Sequence, residues 1–286
     1  MQTLRLKAYA KVNLCLEILS RREDGYHEIR TIYQSIALYD ELELSPFDTL
    51  SLAVEPNGFV PTEGNLVLEA AELLRIRTGI KLGAYIRLKK RIPTSAGLGG
   101  GSSDAASTLL GLRKLWSLHL ADEEVLDIGA ALGSDVPFFI KGGTALGKGR
   151  GEILDPIPTP NDYWAVIICS DEGGSNKTAR LYNLLKPNHY SIDDKATISL
   201  AESIATGHIP NNKLFNGFES VAPLAFPHYQ DMKSAFHRAG AKDVHLAGSG
   251  PSLFTVTHSK ADALGIQRAL QGTAYACYFA KLIPEQ

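Results

Sequence analysis

The chain has 286 residues, of which 44% are hydrophobic and 21% charged, a composition typical of folded globular proteins. Its 29 lysines and arginines nearly balance 31 aspartates and glutamates, and the resulting net charge of −2 argues against a non-specific nucleic-acid binder. No stretch approaches about 18 uninterrupted apolar residues, so the sequence excludes a membrane-spanning helix.

Three cysteines, Cys15, Cys169 and Cys277, are far apart and odd in number. That spacing supports neither a disulfide framework nor a zinc cluster. The first residues alternate polar with apolar side chains and lack the apolar core of a signal peptide. We therefore expect the protein in a reducing cytoplasm, and nothing in the sequence predicts its oligomeric state.

Period-two alternation opens the chain, since every second residue from Leu4 to Ile18 is apolar. This pattern predicts a long half-buried strand, or two strands joined by a bulge. Lys11 and Asn13 then project from the same side of that strand. Further strands are predicted over residues 31–44 and 82–92.

Three helices are predicted in the first half of the chain. Asn65 is a suitable N-cap for the first, which Gly79 can end. The second begins near Ser102, directly after a glycine-rich run, and carries an apolar stripe. The third covers residues 122–132 and stops at Gly133.

Three prolines at alternate positions within residues 154–160 favour an extended linker with few sheet hydrogen bonds. We place a domain boundary there, which gives an N-terminal domain of residues 1–155 and a C-terminal domain of residues 156–286. The second domain begins with a strand over residues 163–169 and continues through several short helices. A hairpin over 244–254, a helix over 261–270 and a strand over 274–282 complete a split βαβ, ferredoxin-like order.

The most informative segment is the glycine-rich run of residues 93–104, which follows a strand and opens a helix. Glycines let the backbone approach a ligand closely, and the helix N-terminus adds free N–H donors and a partial positive charge. Serine hydroxyls add donors for phosphate oxygens or a metal ion. The sequence predicts a phosphate-binding loop made of Pro93, Thr94, Ser95, Ala96, Gly97, Leu98, Gly99, Gly100, Gly101, Ser102 and Ser103. The alternative is a flexible loop before a capped helix.

Two other phosphate-binding motifs fail on inspection. A Rossmann G-x-G-x-x-G pattern fails because Ser102 or Asp104 stands where the third glycine is needed. A near-Walker stretch over residues 142–148 has Gly149 where Ser or Thr would bind magnesium, and prolines rather than a helix follow. We interpret that stretch as a hairpin turn.

With this loop the sequence resembles the kinase superfamily named for galactose, homoserine, mevalonate and phosphomevalonate kinases (GHMP), whose P-x-x-x-G-L-G-S/G-S-S signature is met by residues 93–103. It most resembles the branch whose acceptor is a cytidine diphosphate derivative of methylerythritol, in the non-mevalonate isoprenoid pathway. That closer likeness is carried by the blocks at residues 10–14, 24–28, 132–138 and 247–252.

The resemblance implies an α+β fold of two domains. Its N-terminal half would be ribosomal-protein-S5-domain-2-like and its C-terminal half ferredoxin-like, with the active site in the cleft between them. It also implies ATP as phosphoryl donor, Mg²⁺ bridging the β- and γ-phosphates, and a small-molecule substrate with a cytidine diphosphate moiety. The alternatives are another kinase of the superfamily, of homoserine or mevalonate type, and a catalytically silent ligand sensor.

The family pairs a strand lysine with an aspartate, which here are Lys11 and Asp135. Asp135 would accept the proton of the acceptor hydroxyl, and Lys11 would neutralise the moving phosphoryl oxygens. Taken alone, Asp135 is typical of a turn residue that caps the next element, and Lys11 of a solvated strand lysine.

The resemblance also implies the remaining contacts. Tyr26 and His27 would hold the cytosine by stacking and hydrogen bonding, and Asn13 would lie near the reacting hydroxyl. Gly248 and Ser249 would line the substrate side, Asn65 would lie near the adenine, and Ser102 or Ser103 would ligate magnesium. Residues 170–178 depart from the family's proline-bearing turn and V-S-T segment, although Thr178 and Tyr182 keep its T-x-x-x-Y spacing.

Overall fold

The computed structural model describes residues 3–56, 64–170 and 177–285. The chain divides into two compact units, each discontinuous in sequence. Unit 1 comprises Met1–Ala10, Tyr39–Thr94 and Gly99–Lys141, and unit 2 comprises Lys11–Leu38, Ser95–Leu98 and Gly142–Gln286. The predicted domain boundary between residues 155 and 156 stays a prediction.

Two long strands, β1 (Leu4–Arg21) and β2 (His27–Phe47), contribute residues to both units. The other elements of unit 1 are β3 (Leu50–Glu55), α1 (Leu66–Thr78), β4 (Gly83–Lys89), α2 (Gly100–Leu115), α3 (Asp122–Leu132) and α4 (Val136–Lys141). The other elements of unit 2 are β5 (Thr144–Lys148), β6 (Ile153–Ile157), β7 (Trp164–Cys169), α5 (Lys177–Leu184), α6 (Lys195–Ala205), β8 (Phe215–Asn216), α7 (Ala222–Ala225), α8 (Tyr229–Arg238), β9 (His245–Leu246), β10 (Leu253–Thr257), α9 (Lys260–Leu270) and β11 (Ala276–Lys281).

Unit 1 packs its helices on a small sheet. The C-terminal part of β2 pairs antiparallel with β4, and β4 pairs parallel with β3. Apolar residues of these strands and of α1, α2 and α3 form one buried cluster. Helix α1 begins and ends as predicted: Asn65 Oδ1 accepts from the Val67 N–H at 3.0 Å, and Gly79 adopts a left-handed φ of +70° as C-cap.

Unit 2 contains the predicted ferredoxin-like arrangement. Its four-stranded sheet has the order β11-β7-β10-β9, with antiparallel pairing throughout. Helices α5, α7, α8 and α9 contribute buried apolar residues to the core of this unit. The predicted strand–helices–hairpin–helix–strand order is therefore confirmed.

The rest of unit 2 is built on the two long strands. The N-terminal part of β2 pairs antiparallel with β5, and β5 pairs with β6. Strand β1 pairs parallel with β8, with Cys15 opposite Phe215. The prediction of a half-buried first strand holds only at its start, because β1 is buried on both faces from Ala10 to Ile18.

The proline-rich segment corrects one prediction. Residues 153–157 are not an unpaired linker but strand β6, in which Pro156 lies opposite Ala145 of β5. Proline is tolerated there because, among the described strands, β6 is paired only with β5 and so lies at an edge. The near-Walker stretch is also mostly strand, namely β5, and its hairpin turn begins only at Gly149. Another strand follows rather than a helix, so the expected absence of a helix after this stretch is confirmed.

No helix among the described residues is long and apolar enough to cross a membrane.

Candidate active site

The glycine-rich run forms the predicted loop between β4 and α2. Its backbone enters the left-handed region at Ser95, Gly97 and Gly99, with φ values of +53°, +82° and +74°. Glycine reaches this region without strain, and Gly99 is the N-cap of α2. Helix α2 therefore begins at Gly100, two residues before the predicted start near Ser102. The first-turn N–H groups of α2 lack helical acceptors, so they are available to an anion.

The two serines at the start of α2 differ in exposure. Ser103 is 2% exposed, and its N–H donates to Gly99 O at 2.9 Å. Ser102 is half-buried. Among the described residues no group of three or more His, Cys, Asp or Glu side chains could hold a metal ion. A metal ion at this loop would therefore need oxygen ligands from a bound ligand as well as a serine hydroxyl. Of the two serine hydroxyls, that of Ser102 is the accessible one.

A buried ion cluster supports the base of the loop in unit 1. Lys90 Nζ donates to Asp104 Oδ2 at 2.7 Å and to Asp40 Oδ2, and all three side chains are nearly inaccessible to solvent. Asp40 also accepts the N–H of Ile92 at 2.8 Å, while Asp104 Oδ1 is buried without a hydrogen-bond partner. Burial, together with repulsion from Asp40, raises the pKa of the Asp104 carboxyl. Asp40 and Lys90 thus tie the start of α2 to the strands before it.

Lys11 lies inside unit 2 rather than on a solvated strand face. It is 4% exposed, and its Nζ donates to Asn13 Oδ1 at 2.7 Å. Asn13 Nδ2 donates in turn to Thr31 Oγ1 at 2.7 Å, and the Thr31 hydroxyl donates to Cys15 O. The Lys11 backbone N–H donates to Leu98 O of the glycine-rich loop at 3.0 Å. This chain of hydrogen bonds fixes the ammonium in one position.

The turn of residues 247–250 meets the loop within unit 2. A Cβ at Gly97 would lie 2.0 Å from Ala247 O, and one at Gly248 would lie 2.9 Å from Lys11 Nζ. Only glycine permits this approach at either position. Thr178 Oγ1 and Ser249 Oγ are within 2.8 Å of each other, so the predicted substrate residues Thr178, Gly248 and Ser249 do come together.

Lys177 is a cation of this region that the sequence did not single out. Its Nζ donates to the carbonyl oxygen of Gly250. Burial, and then the nearby charge of Lys11, lower the pKa of the Lys177 ammonium to about 7. Only its unusual surroundings, the atypical segment 170–178, could have drawn attention to it. Of that segment, residues 171–176 lie outside the described residues.

His27 is held in an aromatic cluster of unit 2. Its imidazole stacks on Tyr182 with ring centroids 4.3 Å apart, and Nε2 lies 3.3 Å from the Tyr190 hydroxyl. Burial, and then the charge of Arg21, lower the pKa of His27, which favours the neutral ring. Tyr26 differs: it is 53% exposed, and the Arg150 guanidinium lies 4.7 Å from its ring centroid. Tyr26 therefore offers the accessible aromatic surface.

Asp135 and Asn65 both lie in unit 1. Asp135 is half-buried and directly precedes α4, and its carbonyl oxygen accepts from the Phe139 N–H at 3.4 Å. Asn65 has the predicted capping role, while its place near an adenine stays a prediction. The pairing of Asp135 with Lys11, a residue of unit 2, also stays a prediction.

Comparison with known proteins places this geometry in a family. The models for the N-terminal domain and the C-terminal region of GHMP kinases match residues 65–143 and 200–276. A 4-diphosphocytidyl-2-C-methyl-D-erythritol kinase of Dehalococcoides mccartyi is 42% identical over 98% of both chains. The chain belongs to the 4-diphosphocytidyl-2-C-methyl-D-erythritol kinase family of GHMP kinases. A relative of the same name from Bacillus cytotoxicus is 39% identical over 99% of this chain and 98% of its own.

Solved structures agree with this membership. A crystal structure of 4-(cytidine 5'-diphospho)-2C-methyl-D-erythritol kinase superposes with a TM-score of 0.81 at 32% identity, covering 98% of this chain and 99% of the other. Homoserine kinase from Cytophaga hutchinsonii superposes with a TM-score of 0.75 at 20% identity, covering 100% and 96%, which shows the shared fold alone. The expected α+β GHMP-kinase fold is therefore confirmed.

Several residues beside the expected kinase site were missed from sequence. Tyr190 contacts His27, and Arg150 contacts Tyr26. Neither Tyr190 nor Arg150 belongs to the motif blocks that carry the resemblance. Thr31 fixes Asn13 from the neighbouring strand β2, and only the pairing of β1 with β2 could have indicated it. Tyr182 was indicated by the T-x-x-x-Y spacing, although not as the residue that stacks on His27.

Proposed function

We propose that this protein transfers the γ-phosphoryl group of ATP to the 2-hydroxyl of 4-diphosphocytidyl-2-C-methyl-D-erythritol, giving the 2-phosphate and ADP. The observation that carries the proposal is similarity along almost the whole chain, up to 42% identity, to kinases named for that substrate. Such a reaction needs a phosphate-binding loop, a fixed cation and a surface for the cytosine base. The glycine-rich loop, the buried Lys11 and the exposed Tyr26 ring would supply these three parts.

The loop and the start of α2 would bind the phosphates of ATP. Residues 93–103 expose backbone donors at a helix N-terminus, where the helix dipole favours negative charge. Gly97 and Gly99 hold the left-handed conformations that the loop requires. Asn65, at the N-cap of α1, would lie near the adenine.

Magnesium would fit this site through Ser102, whose half-buried hydroxyl could supply one oxygen ligand beside those of the nucleotide. Ser103 is a poorer candidate, because it is 2% exposed and closed off within α2. When bound, the ion would neutralise charge on the β- and γ-phosphates.

Phosphoryl transfer is mainly a matter of position and charge neutralisation. Asp135 would accept the proton of the 2-hydroxyl as the new phosphate ester forms. Lys11, held by Asn13, would face the negative charge on the transferred phosphoryl oxygens without reorganisation. Asn13 would lie near the reacting hydroxyl.

The cytidine end of the acceptor would bind at the aromatic cluster. Tyr26 presents an exposed ring on which a base can stack, with Arg150 over the ring as a cation. His27, neutral and fixed by Tyr182 and Tyr190, can hydrogen-bond the base. Thr178, Gly248 and Ser249 would line the same acceptor.

The test is an ADP-release assay run in parallel with three acceptors: the cytidyl methylerythritol, mevalonate and homoserine. The proposal expects release above background with the first acceptor alone. Release with homoserine or mevalonate alone would refute the acceptor while keeping the kinase. Binding of ATP and acceptor without any ADP release would instead support a silent sensor. The Asp135→Asn variant is the matched control for ATPase contamination, since it should bind ATP and release almost no ADP.

A further inference from the structure

Two ammonium groups contact the turn of residues 247–250 in unit 2. Lys11 comes from β1, and a Cβ atom built on Gly248 would lie only 2.9 Å from Lys11 Nζ. Lys177 Nζ, from the first residue of α5, donates to the carbonyl oxygen of Gly250. The same turn carries Ser249, whose hydroxyl lies 2.8 Å from that of Thr178.

This arrangement concentrates positive charge where solvent is scarce. Lys11 is 4% exposed and Lys177 half-buried. Among the described residues, the titratable groups that act on the Lys177 ammonium are Lys11, which opposes its charge, and Cys169 at the end of β7, which partly offsets that effect. Like charges close together where solvent is scarce repel each other, and an anion that contacts both ammonium groups lowers that repulsion.

We propose that Lys177 is a second phosphate-binding cation of this site, which acts beside Lys11 on one phosphate group of the reacting molecules. The assignment of that group to a substrate rests on the proposed function, but the binding of an anion by Lys177 does not. The phosphate is either the transferred phosphoryl group or the diphosphate of the acceptor. Both present the oxygens that an ammonium binds.

The pH dependence follows from the same environment. Burial and Lys11 lower the pKa of Lys177 to about 7, so the cation is present below that pH and is lost above it. An anion bound to Lys177 favours the charged form and raises its pKa. The kcat/KM of the wild type, which reports the free enzyme, should therefore fall as pH rises above about 7, while kcat should hold to higher pH.

The first test measures anion binding without any turnover. The full-length protein is labelled with an amine-acylating reagent across pH 6–10, and the extent at Lys177 is read by mass spectrometry with and without inorganic pyrophosphate. Exposed Lys242 is the internal reference. We expect Lys177 to react at a pH lower than Lys242 does, and pyrophosphate to suppress its labelling. Equal labelling with and without pyrophosphate would overturn the proposal even if the kinase is active.

The second test uses two variants and a matched control. Lys177→Met should lower kcat/KM for the acceptor by about ten- to a hundredfold at pH 7, and Lys177→Arg should keep most of the activity without the fall above pH 7. Lys242→Met should behave as wild type. A loss of acceptor affinity in Lys177→Met would place the lysine at the acceptor diphosphate. A loss of kcat alone would place it at the transferred phosphoryl group. Wild-type kinetics and an unchanged pH profile in both Lys177 variants would overturn the proposal.

Discussion

Lys11 is the side chain whose environment most clearly suits phosphoryl transfer. Its ammonium is nearly excluded from solvent and is fixed by Asn13, which itself is fixed by Thr31. A cation so restrained meets developing negative charge without rearrangement. Sequence alone left open a solvated strand lysine, because the burial of this face depends on partners far along the chain.

Removal of Lys11 or Asp135 should therefore affect the chemical step more than nucleotide binding. We expect Lys11→Ala and Asp135→Ala each to lower kcat by about a hundredfold or more. ATP affinity, measured by calorimetric titration, should change little. Lys7→Ala is the matched control, because Lys7 lies on the same strand and is exposed. Steady-state rates close to wild type in either variant would refute the assignment.

Gly97 offers a residue-scale test of the loop. Gly97 and Gly79 both have left-handed φ values, of +82° and +70°, but a Cβ meets Ala247 O at 2.0 Å only at Gly97. We expect Gly79→Ala to lower the free energy of unfolding by about 1–2 kcal/mol and leave the kinetics intact. Gly97→Ala should also displace the 247–250 turn and lower kcat/KM by about a hundredfold. Urea denaturation and steady-state kinetics measure both, and equal effects of the two substitutions would contradict this account of the loop.

At the scale of elements, the start of α2 depends on a buried ion cluster. Lys90 is the cation shared by Asp40 and Asp104, and both carboxyl groups would be left buried without it. We expect Lys90→Met to lower the free energy of unfolding by about 3–5 kcal/mol. Lys89→Met, at the exposed neighbouring position, should change it by less than about 0.5 kcal/mol. Urea denaturation curves of the two variants make the comparison, and similar stabilities would show that the cluster contributes little.

Local signals predicted the elements well where local chemistry decides them. The two ends of α1 were predicted correctly at Asn65 and Gly79, because capping depends on residues close in sequence. The prolines of residues 154–160 led to the wrong prediction of a linker at residues 154–157, because proline suits an edge strand as well as a linker. Only the partner strand β5 distinguishes the two. The second face of β1 is buried partly by α6, whose Thr197 donates to Glu17 at 2.5 Å across 180 positions of sequence. Period-two alternation cannot reveal such a partner.

At the scale of the whole molecule, topology was more predictable than contacts. The ferredoxin-like order of unit 2 follows from the succession of elements, and the sheet order β11-β7-β10-β9 confirms it. The glycine-rich loop was predicted because phosphate binding needs glycines before a helix. The contacts that hold His27 and Lys177 were not predicted, because they join side chains from distant segments.

The central claim is tested most directly by phosphorus NMR of the product made from ATP and 4-diphosphocytidyl-2-C-methyl-D-erythritol. The account predicts one new phosphomonoester signal, coupled to the carbons around C2 of the methylerythritol, that grows in step with ADP. It also predicts that this signal fails to appear with Asp135→Asn over the same period. A product phosphorylated at another hydroxyl, or ADP formed without a phosphomonoester, would contradict it.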